Sequence, residues 1–211
     1  IKAVFGIDAI VNKHPVTGLP YVIPISKPKD QQQKNVFVHV ICGAGTGSTL
    51  MKVLVDAGYN LTAGVLNVSD TDFQTAQYLK IPTAKESPFS PVTDAAQKEN
   101  LAMIQKANIV VLTSVPFGSG NLQNMEAAKE ALRLGKPTYV IDEVPIDLRD
   151  FTDGKAKKLY KELKKLGALL VYSECEILNM LKVNQEEMEI PKNTSITSDE
   201  HVNKEVCSEK K

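Results

Sequence analysis

Residues 36–59 read VFVHVICGAGTGSTLMKVLVDAGY. An apolar run stops at three glycines, Gly43, Gly45 and Gly47, and an amphipathic segment follows at once. A run that is apolar on both faces suits a buried parallel strand, and a glycine turn opening into a helix suits a βα unit. Glycines let backbone amides approach a ligand. Thr46, Ser48 and Thr49 add hydroxyl donors, and a helix start attracts anions. The competing reading is a tight turn that only packs helix against strand.

The loop fails as a Walker A motif. That motif needs a glycine, four residues, then Gly-Lys-Ser/Thr. With Gly47 as the second glycine, Cys42 stands at the first and Ser48 at the lysine. The dinucleotide fingerprint fits better, because Gly43 and Gly45 have its spacing, but Ser48 replaces its third glycine. The acid expected about 20 residues on, for a ribose, is not cleanly placed. Asn67 ends the next apolar run, with Asp70 and Asp72 just beyond it.

Downstream, strand and helix patterns alternate. Strands are expected at VFVHVIC, LTAGVLN, PTAKES, NIVVLTSV, KPTYVID and ALLVYS, with amphipathic helices between them and CEILNMLK closing. Asp70 is the expected N-cap of the second helix, and Gly135 stops the fourth. Such alternation predicts an α/β, Rossmann-like three-layer fold: a mostly parallel sheet, helices on both faces, right-handed crossovers. In that order the first and fourth strands adjoin at the switch point. A second loop, SVPFGSGNLQNMEAA, follows the fourth strand, with Gly118, Ser119, Gly120 and Asn121 before a helix start. The ligand-binding residues expected are therefore Gly43, Gly45, Thr46, Gly47 and Ser48 with Gly118, Ser119, Gly120 and Asn121. A nucleotide or another anionic ligand is expected between the two loops.

Other signals are weaker. The chain has 25 basic and 25 acidic residues and is 43% apolar, so it can bury a core and lacks the basic excess of a nucleic-acid binder. Nothing approaches a run of about 18 apolar residues. Cys42, Cys175 and Cys207 form no CxxC pair, and His14, His39 and His201 are too dispersed for a metal site. Cys42 and His39 read as packing residues, and the lysines of residues 155–165 as a solvated helix face. IDEVPIDLRD gathers Asp142, Glu143, Asp147, Arg149 and Asp150 at the sheet's carboxyl edge. Exposure explains that loop better than general-base chemistry, so no catalytic residue is expected. Residues 1–25 are expected to be the remnant of a preceding domain and 26–35 a linker. Residues 36–182 form the Rossmann-like domain, and 183–211 a flexible tail without apolar period.

Two stretches carry a family resemblance. VFGIDAIVNKHPVTGLPYVIP, with Phe5-Gly6 and the His14 to Gly18 turn, resembles the end of the nucleotide-binding domain in ATP-binding subunits of ABC importers for iron chelates and cobalamin. ICGAGTGSTLMKVLVDAGYNLTAGVLN and VPFGSGNLQNMEAA resemble a C-terminal domain appended to some of those subunits. The resemblance implies a regulatory or ligand-sensing role beside a transport ATPase. It also implies a cytoplasmic location peripheral to the membrane, with permease subunits and a second ATPase subunit as partners. A homodimer is compatible with it. The Walker, signature and switch-histidine motifs belong upstream of Ile1, so the fragment itself is not expected to hydrolyse ATP; ATP would be bound by the missing part. A second likeness, to the lysine-decarboxylase-like Rossmann group, rests on the two glycine loops and implies nucleotide processing instead. GSGNLQNME lacks that group's threonine, and Glu126 stands two positions late.

Overall fold

A computed structural model describes residues 2–5, 8–14, 16–25 and 33–189. At the amino end, a one-turn helix α1 (Lys2–Phe5) precedes strands β1 (Asp8–Lys13) and β2 (Pro20–Ile25), which form an antiparallel hairpin. His14 organises its turn: the Nδ1 accepts from Val16 and Thr17 backbone amides, and the carbonyl accepts from Gly18. Gly18 takes a φ of +69°, which glycine adopts without steric penalty. Most of the expected linker, residues 26–32, lies outside the described residues. Its end is already docked, since Lys34 N–H donates to Gly58 and Asn60 Nδ2 donates to the Lys34 carbonyl.

The main unit runs β3 (Phe37–Ile41), α2 (Ser48–Asp56), β4 (Asn60–Asn67), α3 (Thr71–Tyr78), β5 (Thr83–Glu86) and α4 (Asp94–Lys106). It continues through β6 (Ile109–Leu112), α5 (Leu122–Arg133), β7 (Thr138–Ile141), α6 (Ile146–Arg149), α7 (Lys155–Lys165), β8 (Leu169–Val171) and α8 (Glu174–Glu189). The six strands lie in the order β5-β4-β3-β6-β7-β8, all neighbouring pairs parallel. This is the expected Rossmann-like α/β architecture. β3 and β6 adjoin, so the switch point falls between the two glycine loops.

Strand period explains why the central runs are apolar throughout. Val38 and Val40 of β3 join Val111 of β6 and Tyr139 and Ile141 of β7 in one core, with Leu50, Met51 and Leu54 of α2 and Ile177 and Leu181 of α8. The alternate residues Ile41, Val110, Leu112 and Val140 face a second core with Met125, Ala128 and Ala131 of α5 and Leu159 and Leu163 of α7. α7 buries Ala156, Leu159, Tyr160 and Leu163, which leaves Lys155, Lys158, Lys161, Lys164 and Lys165 exposed as its solvated face.

Two elements depart from the sequence reading. The loop after β7 contains the short helix α6. The last helix continues to Glu189, seven residues past the expected boundary at 182, through the polar run VNQEEME. Residues 190–211 lie outside the described residues.

Candidate functional site

The first glycine loop leaves β3 and enters α2, and its interior is already filled by carboxylates from the next βα turn. Asp70 caps α3 by accepting from Asp72 N–H at 3.0 Å. The same carboxylate accepts from Ala44 N–H at 2.6 Å and Gly45 N–H at 3.3 Å. Asp72, wholly buried, accepts from Gly47 N–H at 3.1 Å and from the Ser48 hydroxyl at 2.7 Å. Burial raises its carboxyl above the ordinary range, with the bonds from Ser48 and Gly47 working the other way. Thr46 Oγ1 donates to the Gly43 carbonyl and meets Thr113 Oγ1 at 2.6 Å, tying the ends of β3 and β6. The amides of Ala44, Gly45 and Gly47 are therefore already bonded to internal carboxylates.

The glycines here have separate reasons. Gly45 has a φ of +77°, where valine would strain the chain. Gly47 is a contact glycine: a Cβ built there would lie 2.5 Å from both Cβ and Sγ of Cys42. Cys42 is 1% exposed, and burial, with Asp72 and Asp70 nearby, pushes its thiol well up. Gly47→Ala is therefore expected to lower stability by about 1–3 kcal/mol, the usual cost of overpacking a core. Equilibrium denaturation measures it, and an unchanged midpoint would mean that helix and strand are not held in contact there.

The second loop is organised by its own asparagine. Asn121 Oδ1 accepts from Gly118 N–H at 2.8 Å, and its Nδ2 donates to the Pro116 carbonyl. Asn124 reaches across to β4, exchanging two 3.0 Å bonds with the Val65 backbone. The Gly120 carbonyl accepts from Val92 N–H at 2.8 Å, which ties this loop to the segment between β5 and α4. No intramolecular bond uses the amides of Ser119 and Gly120 among the described residues.

A cleft of about 580 Å³ opens at the carboxyl ends of the strands, between the two loops. Gly43, Gly118, Ser119, Gly120 and Asn121 line it. Gly45, Thr46, Gly47 and Ser48 do not; they sit behind the wall, turned toward Asp70, Asp72 and Thr113. Several lining residues carried no signal as site residues. Val65, Leu66 and Val92 are among them, and Asp70 and Glu86 are the charged residues of the wall. Glu86 accepts from Thr93 Oγ1 and from the Thr93 and Ser87 amides, which hold its carboxyl below the ordinary range. Asp70 could be found from sequence only as an N-cap, and nothing in the sequence marks Glu86.

Of the acids after β7, Asp142, Asp147 and Asp150 make structural contacts. Arg149 is buried and donates to the Val144 and Val115 carbonyls and to Asp142 Oδ1. The Tyr160 hydroxyl donates to Asp142 Oδ2 at 2.6 Å. Asp150 accepts from Thr152 and from Lys157 N–H at the start of α7, which lowers its pKa. Asp147 pairs with Lys157.

The family model called MJ0874 matches residues 61–178, more than half of the chain. The chain belongs to the MJ0874 family. The match spans β4 to α8 and so includes the second loop and most of the cleft wall. This MJ0874-family chain is also 27% identical over 113 residues to the cobalamin import ATP-binding protein BtuD of Halobacterium salinarum, in two strains. That alignment covers 53% of this chain and 28% of the relative, so the chain spans well under half the length of the curated relatives it matches. The similarity to an ABC importer's ATP-binding subunit is thus partial. Among solved structures, an alpha-glucosyltransferase in complex with UDP and a 13-mer DNA is 16% identical with a TM-score of 0.39. It covers 66% of this chain and 39% of that one, a likeness too low to carry an argument about function. No helix among the described residues is long and apolar enough to cross a membrane.

Proposed function

We propose that this chain is a non-catalytic, ligand-sensing domain of the ATP-binding subunit of an iron-chelate or cobalamin importer. Its ligand is held in the cleft between the two glycine loops. Through the whole subunit it would work beside permease subunits and a second ATPase subunit, on the cytoplasmic side of the membrane. The observation that carries this reading is the cleft itself, set where β3 and β6 diverge in a doubly wound sheet, the place where such folds take small ligands. The partial match to the cobalamin import protein supports the transport context. The acids of the wall each accept three bonds from backbone and hydroxyl donors, which fixes them in place and leaves acceptor capacity for a ligand.

With the first loop filled by Asp70, ligand donors come from the second: the Ser119 and Gly120 amides and the Ser119 hydroxyl. A nucleotide remains the class that the architecture suggests. The nucleotide-processing alternative finds no support in Glu126, which is exposed on α5 and pairs with Lys129 at 3.4 Å instead of lining the cleft.

The test is a binding screen of nucleotides, dinucleotides and corrinoids against the chain, with Gly118→Leu as the blocked variant. A Cβ on Gly118 meets nothing within 4 Å and its φ is not left-handed, so the side chain enters the cleft without straining the fold. Wild type is expected to bind a member of the panel and Gly118→Leu to lose it, at least tenfold in Kd, with unchanged melting. Equal binding by the variant would place the site elsewhere.

A further inference from the structure

Phe89 sits at the lip of the cleft in a conformation that its chemistry does not favour. The ring is 95% exposed, and the backbone φ is +58°, a region that bulky residues rarely occupy. Nothing about the segment is loose enough to explain this. Pro88 and Pro91 flank the residue, Ser90 N–H donates to the Ser87 carbonyl at 3.2 Å, and Val92 N–H donates to Gly120. Thr93 anchors the far end through two bonds to Glu86. A hydrogen-bonded loop thus holds an aromatic face out beside the cleft.

The charges of the same cleft select against phosphate as the recognised group. Among the described residues its charged lining residues are Asp70 and Glu86, both acids, and no basic side chain lines it. The first loop's amides at Ala44 and Gly45 already bond to a carboxylate. What the wall offers instead is an apolar surface from Phe89 and Pro91, donors at Ser119 and Gly120, and acceptors at the two acids. A flat ring bearing an exocyclic amine and ring acceptors complements that set, and an aromatic side chain stacks on any such ring.

We propose that the cleft recognises a nucleobase-type ring, planar and uncharged, stacked on Phe89 and read along its edge by the second loop and the two acids, with phosphate contributing little. This rests on the reading of the cleft as the ligand site. The experiment titrates the full chain with adenosine, guanosine, cytidine, uridine, inorganic phosphate and ribose 5-phosphate, by calorimetry and ligand-observed NMR. At least one nucleoside is expected to bind, and the two phosphate probes are not. Phe89→Ala, which removes no buried packing, should weaken that nucleoside roughly 5- to 150-fold, the range set by loss of one base–aromatic stack. Phe89→Trp should preserve binding. The proposal is overturned if no nucleoside binds, if Phe89→Ala binds as wild type does, or if the phosphate probes bind as well as the nucleosides. Should another ligand class bind and be blocked by Gly118→Leu but not by Phe89→Ala, the ring proposal falls and the cleft stays. If nothing enters the cleft, both readings fall.

Discussion

Arg149→Ala is expected to cost about 3–5 kcal/mol of folding stability, the usual penalty for removing one partner of a buried ion pair. The guanidinium is almost wholly enclosed, between the Phe117 and Tyr160 rings at 5.9 and 5.8 Å. Its donors satisfy the Val115 and Val144 carbonyls, and its partner Asp142 also accepts from Tyr160. The alanine variant leaves those acceptors unpaired and an empty space at the carboxyl ends of β6 and β7. Lysine is a poor rescue, because a point charge cannot reproduce a planar fork reaching three acceptors. Guanidinium denaturation reads the loss. A change under about 1 kcal/mol would show that the network tolerates water in place of the arginine.

Acid should destabilise the fold through His39. The ring is fully buried on β3, with Nδ1 2.9 Å from Thr62 Oγ1 and with Asn100 and the Gly64 backbone only partly offsetting the cost of burial. Burial lowers its pKa from 6.5 to about 4. The folded pKa is depressed, so the neutral ring's stability is fully present above the unfolded value. It is lost as pH falls from 6.5 toward the folded value of about 4. Integrating between those values gives roughly 2 kcal/mol lost between pH 7.5 and pH 5. His39→Leu carries the same carboxylates but no imidazole, so its stability should fall less steeply over that window. Parallel pH curves for the two proteins would remove His39 as the cause.

The alternation of strand and helix was legible because the central strands carried apolar runs on two faces and the breaks carried glycine, proline or a cap. Strand period and turn chemistry are local, and local patterns survive in sequence. What escaped depended on distance or on weak pattern. Asp70 reaches Ala44 and Gly45 across more than twenty residues, and only the fold brings them together. Of the acids after β7, Glu143 and Asp147 are exposed as expected, yet Asp142 pairs with the buried Arg149, a contact made by tertiary packing. α6 has four residues, too few to show a helical period, and the end of α8 lacks apolar residues at helical spacing. Phe89 lies in SPFSPV, between an expected strand and an expected helix, where no pattern marks it. Of the candidate site, the two loops and their meeting place were readable, whereas the residues that fill one loop and roof the cleft were not.

Asp70 has a consequence for how the domain would report occupancy. A phosphate loop that is empty when unliganded gains order on arrival of its ligand, and that ordering is a message. Here the loop carries its own permanent occupant, so it is as well braced before binding as after. News of a ligand has to leave by another route. The Val92–Gly120 bond offers one, since it couples the Phe89 segment to the start of α5. In the proposed sensing role, a pull on either would reach α5, whose Lys129 pairs with Glu162 of α7.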